Sequence, residues 1–248
     1  MSTKNRELNR AERAKAIQRE QAAGERNRRI LITLAILVVL SAVIAAGVVF
    51  SSGGGSKKPE ASGALPPATA QGQSLVMGDN AKAATTVVVY EDFLCPYCRQ
   101  FETSTRDFLQ AAADKGTVQV EYRPFHLLQD DYSTRALSAW ASVLQEGTPE
   151  QALSYHDLLY DKQPYEASPD KPDGAKLAEW AKESGVTSSS VLDSVKKADD
   201  PAFVNAADAA ATKAGVDGTP TVFVNGKPLQ GSSVSDMADN LEKLVSGS

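Results

Sequence analysis

A chain of 248 residues has room for one or two domains, and 42% hydrophobic with 23% charged residues is a globular composition, not a disordered or fibrous one. The net charge of −5 averages a basic stretch of +5 (residues 1–29), an uncharged stretch (30–50) and an acidic remainder of −10 (51–248). An acidic body argues against nucleic-acid binding, which depends on Lys and Arg neutralising phosphates.

Residues 1–29 read as a charged tail with helical propensity, expected to be cytoplasmic. Residues 30–50 are apolar and free of charge, and as a helix they would span roughly 31 Å, close to the hydrocarbon thickness of a bilayer. Arg26, Arg28 and Arg29 precede this run and outweigh Lys57 and Lys58 after it. The positive-inside rule therefore predicts a single-pass transmembrane helix acting as a signal-anchor, with the body outside the cytoplasm at the cell membrane. The rival reading is a cleaved signal peptide, whose apolar core of about 7–15 residues is normally shorter. No cysteine stands just after the run, which excludes lipoprotein attachment. Either reading puts the body where disulfides form and persist. Residues 51–73 are dominated by Gly, Ser, Pro and Ala and read as a flexible linker with a reach of roughly 25 Å.

The folded domain is expected over 74–248. Val87 to Phe93 is rich in β-branched residues and predicts a strand, followed by a helix that opens in the Cys95-Pro96-Tyr97-Cys98 segment and stops at Gly116. Val118 to Tyr122 alternates and predicts a second strand, ended by Pro124. Helices are expected at Tyr132–Glu146, Pro149–Leu159, Gly174–Ser184, Ser188–Lys197 and Pro201–Ala214, with a Pro- and Asp-rich loop from Tyr160 to Gly174. Thr221 to Val224 then runs into Asn225-Gly226, a strong hairpin signal, with a return strand from Lys227 and a last helix from Ser235 to Val245. The order is β-α-β, a helical insert over about 130–215, then β-β-α, which predicts an α/β fold with a mixed sheet.

The two cysteines are the only ones in the chain, and their C-x-x-C spacing suits thiol–disulfide exchange. One thiolate attacks a sulfur and the second thiol resolves the mixed disulfide. Cys95 is expected at the exposed N-terminal end of the helix, where free N–H groups and the helix dipole stabilise an anion and lower its pKa. Cys98, one turn inside, suits the resolving role. Pro96 fits the first helical turn, and Tyr97 lies between the sulfurs where it influences the redox properties. Three plainer readings compete. A structural staple across four residues would add only roughly 2 kcal/mol, against about 4.7 for a 100-residue loop. A zinc site would need His126 and His156, whose spacing does not resemble a compact site. Two inert thiols this close would oxidise outside the cytoplasm, which returns to the staple. No metal and no cofactor is expected.

Far along the chain, Pro220 stands directly before a β-branched run, so it is expected at a strand start or edge. Cys95-Pro96-Tyr97-Cys98 after one strand, with Gly218-Thr219-Pro220-Thr221 before a late one, resembles the thioredoxin fold. With the helical insert, residues 75–246 are similar to the DsbA-like thiol–disulfide oxidoreductases, in particular a membrane-anchored bacterial branch. The resemblance implies a redox-active Cys95–Cys98 disulfide and a cis Thr219–Pro220 bond facing it. It also implies substrate binding along the Thr219–Pro220 backbone as an added strand. The implied partners are reduced or unfolded exported proteins and a quinone-linked membrane reoxidase, and the implied activity is the introduction of disulfides. A reductase or isomerase with the same site, or a non-redox binding or chaperone module, are the alternatives. The chain leaves the family pattern at Val89, six residues before Cys95, where many relatives carry a buried acid. Glu91 and Asp92 are nearer, either as groups modulating the active site or as solvated strand-end residues. His126 and His156 are expected to pack or to face solvent, and Trp140 and Trp180 to lie in the core.

Overall fold

The computed structural model describes residues 68–78 and 83–247. The expected tail, transmembrane helix and most of the linker lie outside the described residues. Among those described, no helix is long and apolar enough to cross a membrane.

Six strands form one mixed sheet: β1 (Ala68–Gln71), β2 (Ser74–Met77), β3 (Thr85–Glu91), β4 (Val118–Pro124), β5 (Thr221–Val224) and β6 (Lys227–Pro228), in the spatial order β1-β2-β4-β3-β5-β6. β3 lies at the centre, parallel to β4 and antiparallel to β5. The β3–β4 pair is parallel because a helix, α1 (Pro96–Asp114), carries the chain back between the two strands. Alternation explains which side chains enter the core. Val87 and Val89 of β3 are buried, as are Val118, Val120 and Tyr122 of β4.

β1 lies in the stretch read as linker, so the fold begins before residue 74. The hairpin is closed by Gly72, which takes the positive φ of 61° that the turn demands, and its Ser74 Oγ donates to the Gln71 carbonyl at 2.9 Å. β1 is an edge strand with three exposed polar or small residues, which is why its composition resembles a tether.

Five helices form the insert: α2 (Asp131–Glu146), α3 (Pro149–Asp161), α4 (Gly174–Glu183), α5 (Ser189–Lys197) and α6 (Pro201–Lys213). Their starts are set locally. Asp130 and Asp200 cap α2 and α6, and Thr148 with Gln151 forms a capping box on α3. α2 is the hub, with Ala136, Ala139 and Ala141 letting neighbours approach and Trp140 fully buried, its indole N–H donating to Ala152 O at 3.0 Å. Trp180 is also buried. The last helix, α7 (Val234–Ser246), packs on α1, and α3 packs on α1 and on β1. The insert is thus continuous with the core that backs the redox segment.

Candidate active site

The site is built by sheet register. β3 pairs with β5 so that Tyr90 lies opposite Thr221. The residues just after Tyr90 and just before Thr221 must therefore meet at the same edge. That brings the start of α1 to the Gly218-Thr219-Pro220 loop, and the Thr219–Pro220 bond is cis. Cys95 is the N-cap of α1, extended at φ −68° and ψ 118°, and Pro96 takes the first helical position where no N–H donor is needed. The Cys95 N–H donates to Asp92 O at 3.0 Å, and the Cys95 carbonyl accepts from Cys98 N at 3.1 Å and Arg99 N at 3.2 Å.

Both cysteines are free thiols. The Cys95 Sγ–H donates to the Thr219 carbonyl at 3.5 Å, so the two segments singled out from sequence touch. Cys95 is not at an open helix end as expected: only 4% of it is accessible, and the Thr219 loop reaches its sulfur. Its pKa is nonetheless lowered from 9.0 to about 6. A hydrogen bond from Cys98 is the chief cause, opposed by burial and helped by Thr219 and the backbone N–H groups of Cys98 and Tyr97. Cys98 is fully enclosed and moves the opposite way, pushed well up by burial first and then by Cys95. One sulfur is thus held as a ready anion and the other as a thiol.

Asp92 is fully buried rather than solvated. Its Oδ1 accepts from Leu94 N at 2.8 Å, and its Oδ2 accepts from Leu127 N at 2.9 Å, Leu128 N at 3.0 Å and Ser133 Oγ at 2.7 Å. Four donors fill the acceptor sites of its side chain, so Asp92 anchors the β4–α2 loop to the redox turn. Gln163, from the loop after α3, donates through Nε2 to both Phe93 O and Cys95 O at 3.0 Å. Sequence reading missed it because its partners lie some seventy residues away. Pro96 and Tyr97 face solvent, Tyr97 with 61% of its surface accessible. Beside them lies an open groove of about 630 Å³ between α1 and the Gln163–Ala167 segment.

Behind the dithiol is a polar cluster that the sequence did not announce. Glu91, Glu102 and His156 are all fully buried, so the reading of Glu91 as a solvated residue is also overturned. His156, expected merely to pack or face water, sits 2.7 Å through Nε2 from Glu91 Oε1 and 3.0 Å through Nδ1 from Asp157 Oδ1. Its ring lies against Tyr122, Phe93 and Tyr160, with centroids 4.4, 5.8 and 5.2 Å away. Burial pulls its pKa down, but Glu91 and Asp157 more than offset this and raise it to about 10, so it is a cation that donates from both nitrogens. Glu102 is pushed up to about 8 by burial and by Glu91. The three donor atoms lie within 4.8 Å of one another, near enough for a cation, but the hydrogen bond between His156 and Glu91 commits those two atoms to each other. The available signal was Glu102 itself, an acid one helical turn from Cys98. His126 is different: half-buried, its backbone N donates to Asp208 Oδ1 at 2.8 Å and its ring Nδ1 lies 3.7 Å from Asp208 Oδ2.

Fold and site together define a thioredoxin-fold protein with a helical insert and a C-x-x-C dithiol. A family model described as Thioredoxin matches residues 70–243. DsbA from Mycobacterium tuberculosis is 30% identical, with a TM-score of 0.59, over 71% of this chain and 94% of that one. The disulfide bond oxidoreductase DsbG from the same organism is 30% identical, with a TM-score of 0.58, over 70% of this chain and 87% of that one. The serine/threonine-protein kinase PknE of Mycobacterium tuberculosis is 33% identical over 152 residues, which are 57% of this chain and 26% of that protein. The chain spans about a quarter of the length of these curated relatives. The chain belongs to the thioredoxin family and, within it, is a DsbA-like protein, the general class of its neighbours being thiol–disulfide oxidoreductase.

Proposed function

We propose that the protein is a thiol–disulfide oxidoreductase that introduces disulfides into exported proteins, with Cys95 as the sulfur exchanged with substrate and Cys98 as its internal partner. The observation that supports this most is the asymmetry of the pair: the Cys95 pKa is lowered to about 6 while Cys98 is pushed well up. An anion stabilised in the reduced form makes reduction of the Cys95–Cys98 disulfide favourable, and a disulfide that is easily reduced is a good oxidant. A substrate thiolate attacks Cys95, and Cys98 leaves. A second substrate thiol then attacks the mixed disulfide and departs with the new bond, leaving the dithiol reduced. Substrate is held along the Thr219–Pro220 backbone, whose carbonyl already reaches Cys95. Reoxidation falls to a quinone-linked membrane protein. The +5 segment, the charge-free run and the −10 remainder support an anchored protein with this domain outside the cytoplasm.

Redox titration of the full chain against glutathione tests the direction. A potential of about −120 mV is expected, whereas about −270 mV would make the protein a reductase. A reduced, unfolded exported protein should gain its disulfides on mixing with the oxidised chain and not with its Cys95→Ser variant.

A further inference from the structure

The groove between α1 and the segment after α3 takes no part in the exchange chemistry described above. It is open, about 630 Å³ in volume, and reaches Pro96, the residue next to the exchanging sulfur. Gln163 lines it too and donates to the Cys95 carbonyl, so groove and sulfur are held by the same residue. Pro96 on one wall and Pro164 on the other have a fixed φ, which leaves these walls little freedom to lose when something enters. Tyr165 lines the groove with 79% of its surface accessible, and Tyr97 stands next to Pro96. Aromatic rings left in water beside a reactive sulfur mark a contact surface. Two charges complete it: Arg99 from α1 and Glu166 from the facing segment, both exposed. Among the described residues neither side chain has an ion-pair or hydrogen-bond partner. The cations around them are already used, Arg106 by Asp161, Lys162 by Glu183 and Lys171 by Asp130. Arg99 is not spent on the thiolate either, since Cys95 is lowered chiefly by Cys98, with help from Thr219 and backbone N–H groups.

We propose that this groove reads charge in the substrate: it takes an extended stretch of the polypeptide joined to Cys95, with an acidic residue against Arg99 and a basic one against Glu166. The proposal rests on the redox reading above. A polypeptide bonded through sulfur to Cys95 continues in two directions. One leads along the Thr219–Pro220 backbone, and the other leads over the first turn of α1 into the groove. Once the sulfurs are joined, the contact with the groove is intramolecular, so weak interactions suffice because the effective concentration is high. Opposite charges on the two walls give the groove a polarity that a neutral slot would lack, and a segment with the reverse charge order is repelled at both ends. The body's net charge of −10 works against acidic substrates in general, but salt screens that field within about 8 Å, so the nearest charges decide. Arg99 and Glu166 are thus specificity residues: they choose which cysteines reach Cys95 and leave the exchange itself to the sulfurs.

The full chain carrying Cys98→Ser, with Cys95 first joined to an aromatic nitrobenzoate thiol, provides the test. A peptide thiolate that attacks Cys95 forms a new sulfur–sulfur bond, and the old one breaks with its electron pair leaving on the coloured aromatic thiolate. Peptides with one cysteine in a neutral host carry a single Asp or a single Lys at each of the three positions on either side of it. At low salt at least one position should favour Asp over Lys by about fivefold in rate, and another should favour Lys over Asp. Arg99→Glu should invert the first preference and Arg99→Gln should erase it, while Glu166→Lys should invert the second. Both preferences should shrink in high salt. Mercaptoethanol, which is neutral and too small to enter the groove from Cys95, should react at the same rate with every variant. No position preferring either charge, a preference that survives Arg99→Glu, or mercaptoethanol altered as much as the peptides would overturn the charge-reading groove alone. If no thiol displaces the aromatic group from Cys95, mercaptoethanol included, the redox reading itself falls.

Discussion

The chemistry of the protein depends on what surrounds two cysteines that are 4% and 0% accessible. Iodoacetamide should alkylate Cys95 in the native reduced chain with half-maximal rate near pH 6, and leave Cys98 untouched until the protein unfolds. A half-maximal pH near that of a free thiol, about 8.5, would contradict the proposed activation. Asp92 makes a different prediction. Asp92→Ala would strand the Leu94, Leu127 and Leu128 N–H groups and the Ser133 hydroxyl in a buried site, and should cost at least about 3 kcal/mol, read as a lower urea midpoint. The cysteines and the Thr219–Pro220 segment were legible from the sequence because motif and neighbouring strand signals stand together. Asp92 stands out in the sequence but its anchoring role does not, since its partners come from a segment some thirty-five residues on. The role of His156 is hidden for the same reason: its carboxylate partner is 65 positions away, and no local pattern links them.

At the scale of elements, the strands and helices carried by strong local chemistry fall where their residues predict. Asn225 and Gly226 both take positive φ, 50° and 74°, as the tight β5–β6 turn requires, and the capped helices of the insert start at their capping residues. β1 was not legible: four small or polar residues gain strand geometry only by pairing with β2, whose other edge β4 occupies. Close helix contact gives an element-level prediction. A Cβ on Gly174, at the start of α4, would meet the Lys196 carbonyl of α5 well inside contact distance. Gly174→Ala should therefore push α4 from α5 and cost about 1–3 kcal/mol in urea unfolding, while Gly218→Ala, with open space at its Cβ, should cost far less.

For the whole molecule, three buried or half-buried groups set the pH dependence of stability. Glu102 titrates at about 8 in the folded chain against 4.5 ordinarily, so its contribution is full below pH 4.5 and gone above about 8. His156 titrates at about 10 against 6.5, so its contribution is full below 6.5 and lost as pH rises through 10. Cys95 runs the other way: lowered from 9.0 to about 6, it adds stability that is full above pH 9 and lost as pH falls through 6. The urea midpoint of the reduced chain should thus fall between pH 6.5 and 8. It should fall more steeply in Cys95→Ser, which removes the opposing thiolate, and flatten in Glu102→Gln. A wild-type midpoint that rises over this range would contradict the assignment. Gln163 and Asp92 add a consequence of another kind. They clamp the backbone of the redox turn from the insert and from the β4–α2 loop, so the turn should hold its place when the sulfurs change partners. On that expectation the protein would record its oxidation state in a few atoms and not in its outline. A visitor that judges by contour greets both forms alike and lingers after the electrons have moved. Only one that probes sulfur at bonding distance can tell a spent molecule from a charged one.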